Sequence, residues 1–155
     1  MLAGSLSHPP SLAFAHRWVA FSFLIVRDRH GCEGIGARTV AIAEKFDLPY
    51  FRWYGRYFMG WAKVQGPTLS EGLALMEEAF PPIVNEQHYK WLAAALAEAR
   101  FDAGRVTDAL ALVDHALDTG EGPASGLYVP EIHRLRGTLL KSRVPQPRAR
   151  NICVP

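Results

Sequence analysis

Apolar residues recur along this chain at helical spacing, and strict alternation of apolar and polar residues is rare. The clearest stretch covers residues 105–118, whose apolar side chains share one helical face: Ala109, Leu110, Val113, Ala116 and Leu117. Residues 68–80 repeat the pattern. Positions three, four and seven apart lie on the same side of an α-helix, so this periodicity predicts amphipathic helices.

Prolines and glycines separate the periodic stretches and divide the chain into seven predicted helices. Their expected ranges are about 11–27, 32–46, 50–65, 68–80, 84–103, 105–118 and 128–142. Ser11 and Thr68 follow prolines and are expected to cap the helices they precede. Gly66 and Gly104 are expected in the left-handed turns that end helices. Because most connections are short, successive helices should run antiparallel as hairpins.

The predicted hairpins repeat at a nearly constant interval. A position midway along the first helices advances by 36, 37 and 40 residues, through Leu24, Gly60, Ala97 and Gly137. In the second helices the steps are 36 and 37, through Gly36, Gly72 and Ala109. Small side chains at fixed offsets let neighbouring helices approach closely, as a stacked array requires. We therefore expect an all-α solenoid of about seven helices in three and a half repeats.

The chain resembles tetratricopeptide (TPR) repeat proteins. The segments HPPSLAFA (8–15), WLAAALAEARFDAGRVTDALALVDHAL (91–117) and EIHRLRGTLL (131–140) carry a narrower resemblance. They are similar to the C-terminal TPR region of large bacterial proteins that join a class III adenylate/guanylate cyclase or a LuxR-type regulator to an AAA-type ATPase. The resemblance implies a sensor or signalling arm, or a fragment of one, in such a regulator. No cyclase or ATPase motif occurs here, so it carries over no catalytic residue.

Length and charge suit one repeat domain. The 155 residues are 49% apolar and 21% charged, enough for a core. We expect a leader at 1–10, the repeat domain at 11–142 and a disordered basic tail at 143–155. Four of the 17 basic residues follow residue 140, where no acid occurs, which leaves 13 basic against 15 acidic residues before it. The repeat region is therefore slightly acidic, which makes nucleic acid an unlikely partner.

The longest apolar window, Trp18–Val26, has nine residues, well short of the roughly twenty that a membrane span needs. Neither a membrane span nor a signal peptide is predicted, and the expected location is the cytoplasm. Cys32 and Cys153 should then be reduced thiols.

The sequence predicts no catalysis and no cofactor. It contains no phosphate-binding G-x-x-x-x-G-K-[ST], no G-x-S-x-G nucleophile elbow, and no H-E-x-x-H or C-x-x-C metal motif. The six histidines are scattered, which argues against a shared metal site. Cys32 falls at a predicted helix start, where the helix dipole can lower a thiol pKa, but a buried and inert cysteine is the preferred interpretation.

Aromatic density is the unusual feature. Seven of the twelve residues from Tyr50 to Trp61 are aromatic. In TPR arrays the first helix of each repeat lines a concave peptide-binding groove. Stepping by the repeat gives three equivalent series: Trp18, Tyr54, Trp91, Glu131; Phe21, Tyr57, Ala94, Arg134; and Ile25, Trp61, Glu98, Thr138. From these the predicted protein-binding groove comprises Trp18, Phe21, Tyr54, Tyr57, Trp61, Trp91, Glu98 and Arg134.

The alternative is that these aromatics fill the core between repeats. Under the groove hypothesis, Tyr54→Ala or Tyr57→Ala abolishes partner binding and leaves helicity nearly intact. Under the core hypothesis both substitutions unfold the domain.

The expected partner is a protein or peptide. The last predicted helix lacks a hairpin partner, and its apolar residues Ile132, Leu135, Leu139 and Leu140 suggest self-association. A DNA-associated fragment of a LuxR-type transcriptional regulator is the alternative function, and it predicts DNA affinity that falls steeply with salt.

Overall fold

The computed structural model describes residues 8–83, 89–119 and 128–143. These ranges contain seven α-helices and no β-strand, which confirms the all-α prediction. The helices are α1 (Pro9–Ile25), α2 (Arg29–Lys45), α3 (Pro49–Lys63), α4 (Leu69–Ala79), α5 (Tyr89–Asp102), α6 (Val106–Asp118) and α7 (Val129–Arg143). Two 3₁₀ turns, Gly66–Thr68 and Pro81–Ile83, flank α4. Residues 84–88, expected to begin α5, and 144–155, most of the expected basic tail, lie outside the described residues, as does most of the expected leader.

Helix α1 starts two residues earlier than expected. Pro9 and Pro10 form its first turn, where a backbone N–H has no helical partner in any case. The cap is His8, whose Nδ1 accepts a hydrogen bond from the Ser11 backbone N–H at 3.3 Å. The prediction that Ser11 caps this helix was therefore wrong.

Thr68 directly precedes α4, as predicted, but the prediction that its side chain caps the helix was wrong. The Thr68 hydroxyl donates to the backbone carbonyls of Lys63 and Gln65, at 2.7 and 3.0 Å, and makes no capping bond. This bonding closes the turn between α3 and α4. The two glycine turns agree with prediction, with φ of 51° at Gly66 and 76° at Gly104.

Helix packing follows the pattern of stacked hairpins. Each helix contacts the next along the chain, and α1 contacts α3, α3 contacts α5, and α5 contacts α7. The odd-numbered helices thus form one continuous layer. The even-numbered helices lie outside this layer and have no comparable contacts among themselves within the described residues. This is the neighbour-to-neighbour arrangement that the repeat interval predicts.

Glycines permit the closest approaches on both sides of α3. A Cβ on Gly60 would lie 2.7 Å from the Gly72 carbonyl oxygen of α4, closer than two such atoms can pack. On the α2 side, a Cβ on Gly55 would lie 2.8 Å from the Gly36 carbonyl oxygen. The predicted role of Gly36, Gly60 and Gly72 is confirmed. At Gly137, expected to be equivalent, a Cβ would meet nothing within 4 Å, because no eighth helix is described beside α7.

The last helix does not present the apolar face that we expected. Ile132, Leu135 and Leu139 are buried, and Leu140 alone among the four residues is exposed. The buried three belong to the common core because α5 and α6 both pack against α7. The premise for self-association through α7 was therefore wrong. Large exposed apolar side chains are concentrated instead on and just after α1: Phe14, Trp18, Val19, Ile25 and Val26.

Candidate functional site

A groove runs along the inner surface of α5, between the end of α1 and the beginning of α7; we call it the inner groove. Helix α5 forms its floor and α7 forms one wall. The opposite wall comes from α1 at one end of the groove and from Arg29 of α2 and Trp61 of α3 at the other. Two adjoining cavities of about 260 and 280 Å³ occupy it and share Arg27, Ala95 and Glu98 in their linings. We call them the apolar pocket and the charged pocket.

The apolar pocket lies toward the N-terminal end of α5. Its wall on the α1 side is Leu24 and Ile25, and its wall on the α7 side is Tyr128 and Ile132. The floor includes Lys90, Trp91 and Ala94. The Trp91 and Tyr128 rings meet edge to face with centroids 3.9 Å apart, so the aromatic pair fixes the width of this end.

The charged pocket continues toward the C-terminal end of α5. Arg29, Asp102 and Arg134 line it together with Trp61. Arg29 donates a hydrogen bond to the Trp61 carbonyl oxygen at 2.6 Å, and its guanidinium lies 4.7 Å from the Trp61 ring centroid. Burial raises the pKa of the Asp102 carboxyl, and the Glu98 carboxylate adds to the rise.

An ion-pair chain crosses the groove where the two pockets meet. Arg27, just after α1, donates two hydrogen bonds to Glu98 of α5, at 2.6 and 2.9 Å. Arg134 of α7 lies 3.6 Å from the same carboxylate and 2.6 Å from Glu131. The hydrogen bond from Arg134 lowers the pKa of Glu131, while the partial burial of the Glu131 carboxyl opposes that effect. Three helices are thus linked by four charged groups.

Four of the eight predicted groove residues line this inner groove: Trp61, Trp91, Glu98 and Arg134. Trp61 is 2% exposed, so its ring forms part of the pocket wall beneath Arg29 and offers almost no surface of its own to a ligand. Ile25, Ala94, Glu131 and Thr138, from the same repeat series, are also in the lining.

The remaining four predicted aromatics do not line the inner groove. Tyr54 and Tyr57 are 0% exposed and Phe21 is 5% exposed, so all three belong to the core. The Tyr57 hydroxyl donates to the Leu92 carbonyl oxygen of α5, which ties the two helices together. Trp18 is 41% exposed but lies outside both pocket linings.

The physical reason is packing across the layer of odd-numbered helices. Phe21 of α1 packs against Tyr54 and Phe58 of α3, with ring centroids 6.3 and 5.1 Å apart, and its ring lies 6.4 Å from that of Trp91 on α5. The core alternative is therefore the one that describes Phe21, Tyr54 and Tyr57.

Sequence reasoning missed Arg27 and Lys90. Arg27 lies at a left-handed turn with φ of 61°, a conformation that a non-glycine residue rarely adopts. No sequence signal placed it opposite Glu98, which is 71 positions away. Lys90 precedes the predicted groove residue Trp91, and a neighbouring position on a helix normally points elsewhere.

A metal site and a reactive cysteine are the two kinds of site that the sequence analysis considered and set aside. The described parts of the chain hold no group of three or more His, Cys, Asp or Glu side chains placed to bind a metal. Cys32 is 0% exposed, and burial raises the pKa of its thiol to about 12. Desolvation thus outweighs any effect of its position near the start of α2.

Compared with profiles of known protein families, with curated proteins and with solved structures, the chain matches none of them. Among the described helices, none is both long and apolar enough to cross a bilayer.

Proposed function

We propose that this chain is a non-catalytic, TPR-like interaction module that binds a segment of a partner protein in the inner groove. The observation that carries the proposal is the combination of an apolar pocket and a charged pocket on one helix, α5, with walls from α1, α3 and α7. Such a groove offers buried area for an apolar side chain and charged groups that set register and specificity.

The dimensions favour a peptide over a small-molecule cofactor. Each cavity is slightly smaller than the roughly 300–1,000 Å³ of typical small-molecule pockets, and the two are joined end to end. Consecutive side chains of an extended segment can occupy them in turn. As in the regulators that the sequence resembles, we propose that binding is coupled to a signalling output elsewhere.

The test is selection of random peptides on the immobilised protein, followed by measurement of their affinity for two matched variants. Ala94→Trp fills the floor of the apolar pocket without removing a core side chain. Ala111→Trp makes the same change at an exposed position of α6 that lines neither pocket.

We expect Ala94→Trp to weaken binding by about tenfold or more, because it removes the volume that an anchor side chain needs. Ala111→Trp should bind as the wild type does. Circular dichroism checks that both variants remain helical. Equal binding to both variants, or no selected peptide, would contradict the proposal.

A further inference from the structure

The outer face of α1 carries no charge. The exposed side chains of this helix and of the residue after it are all apolar or hydroxyl-bearing, and we call them the α1 face: Ser11, Phe14, Trp18, Val19, Ser22, Ile25 and Val26. Val19 is 42% exposed and Val26 is 69% exposed. Where the end of a helical array faces water, its outer surface is normally polar. The α1 face departs from that rule.

The repeat interval shows what becomes of the same face on the later helices. Stepping from Val19, Ser22 and Val26 by 36, 37 and 40 residues gives nine equivalent positions on α3, α5 and α7. All nine are buried: Gly55, Leu92 and Ile132; Phe58, Ala95 and Leu135; Ala62, Ala99 and Leu139. Only on α1 are these positions exposed.

Contacts on α7 and α3 identify the neighbour that covers this face. Helix α7 packs against α5 and α6, so its buried residues in these series are covered by the hairpin that precedes it. On α3 a Cβ at Gly55 would lie 2.7 Å from Val40 of α2, and the Cys32 Sγ of α2 lies 3.7 Å from the Phe58 carbonyl oxygen. Helix α2 runs antiparallel to α3. The α1 face is therefore a helix-packing surface that suits an antiparallel helix.

Charge selects the occupant of the α1 face. A second copy of the same face brings no like charges together, and its aromatic and aliphatic side chains find apolar partners. The opposite end of the described array is different, because α7 exposes Glu131, Arg134, Lys141 and Arg143. Head-to-tail stacking would take these charges out of water against an uncharged face that cannot pair with them. Pairing of like with like is favoured, and it also closes after two copies.

We propose that the α1 face binds the same face of a second copy of this chain, with the two α1 helices packed antiparallel about a twofold axis. The axis passes near Trp18 and Val19, which lie midway between Ser11 and Val26 and so approach their own counterparts. A helix of 17 residues is about 25 Å long, which makes the interface small. We therefore expect a reversible dimer with a dissociation constant of about 10–100 µM.

Sedimentation equilibrium between about 5 and 500 µM protein tests the proposal, since this range brackets the expected affinity. The wild type should change from monomer to dimer across it. Val19→Glu and Val19→Lys each place like charges on both sides of the axis and should raise the dissociation constant about a hundredfold or more. Leu140→Glu makes a matched change at a leucine of α7 that is 41% exposed, and should dimerise as the wild type does.

Mixing the two Val19 variants distinguishes the proposed geometry from other modes of association. Each variant alone should remain monomeric, but an equal mixture should form a heterodimer, because opposite charges then meet near the axis. Salt should weaken this heterodimer. In a head-to-tail contact the two substituted positions would not meet, and mixing would restore nothing.

A wild type that stays monomeric throughout, a dimer that survives both Val19 substitutions, or a mixture that remains monomeric would overturn the inference. Dissociation by Leu140→Glu would assign the interface to α7 instead. Circular dichroism checks that each variant is helical; Ser22→Arg, which places a long charged side chain on the same exposed face, replaces any Val19 variant that is not. Val19 lines neither pocket, so its variants should still bind the peptides selected on the inner groove, and the two proposals stand or fall separately.

Discussion

Helices α1 and α3 are both rich in aromatic residues, yet their side chains meet different environments. On α3, Tyr54, Tyr57 and Phe58 are at most 1% exposed. On α1, Phe14 is 48% exposed and Trp18 is 41% exposed. Aromatic content alone therefore does not distinguish a recognition surface from a core.

The position in the array explains the difference. Helix α3 packs against α1, α2, α4 and α5, so little of its circumference remains open. Helix α1 begins the described array, packs against α2 and α3, and meets α5 through Phe21. Large apolar side chains are buried where a helix has neighbours on both sides and remain exposed where it has them on one.

The largest expected effect is the loss of a buried ring from α3. Tyr57→Ala should lower the free energy of unfolding by about 3–5 kcal/mol, because it leaves a cavity and removes the buried hydrogen bond from the tyrosine hydroxyl to the Leu92 carbonyl oxygen. Trp18→Ala on α1 is the matched aromatic truncation and should cost about 1 kcal/mol, since its ring is partly in water. Urea unfolding monitored by circular dichroism measures both. Similar costs for the two variants would break the comparison.

An intermediate effect is expected from crowding α3 against α4. Gly60→Ala places a methyl group against the Gly72 carbonyl oxygen and should cost about 1–3 kcal/mol. Gly137→Ala on α7 meets open space and should stabilise the helix by about 0.5–1 kcal/mol. In thermal unfolding we expect a lower melting temperature for Gly60→Ala and a higher one for Gly137→Ala. A loss of stability in both variants would mean that α7 has a close neighbour too.

The smallest effect concerns local opening of α1. Cys32 of α2 packs against both α1 and α3. Its Sγ lies 3.8 Å from the Ala20 carbonyl oxygen of α1 and 3.7 Å from the Phe58 carbonyl oxygen of α3. In a Cys153→Ser background, iodoacetamide should label native Cys32 only after opening. Because α1 has fewer neighbours, we expect this opening to require less free energy than global unfolding.

Two variants sharpen that measurement. Phe21→Ala on α1 should speed the labelling, whereas Val113→Ala on α6 should lower global stability with little change in labelling. If the labelling rate instead follows global stability in both variants, α1 and α3 open together as one unit.

Helix number, helix type and the glycine contacts were predictable because they depend on local periodicity and on a repeat interval. Gly60 and Gly72 show this, since their spacing alone indicated close packing. The helix starts were less predictable: His8 rather than Ser11 caps α1, since prolines that interrupt a helix interior are acceptable in its first turn.

The candidate site was predictable where it follows the repeat series. Trp61, Trp91, Glu98 and Arg134 belong to that series and line the inner groove. Tyr54 and Tyr57 belong to it too but are buried, because helices of other repeats cover them, as Phe21 of α1 packs against Tyr54 and reaches Trp91 of α5. Such contacts depend on several repeats at once, and no single repeat encodes them.

The Arg27–Glu98 ion pair joins the first of the described helices to the fifth. It holds the turn after α1 against α5 through a half-exposed arginine, and such ion pairs are worth no more than about 1 kcal/mol and are screened by salt. This ion pair supplements the aromatic contact between Phe21 of α1 and Trp91 of α5. Rising ionic strength should weaken the Arg27–Glu98 ion pair and let the turn after α1 move away from α5. The aromatic contacts among α1, α3 and α5 should remain.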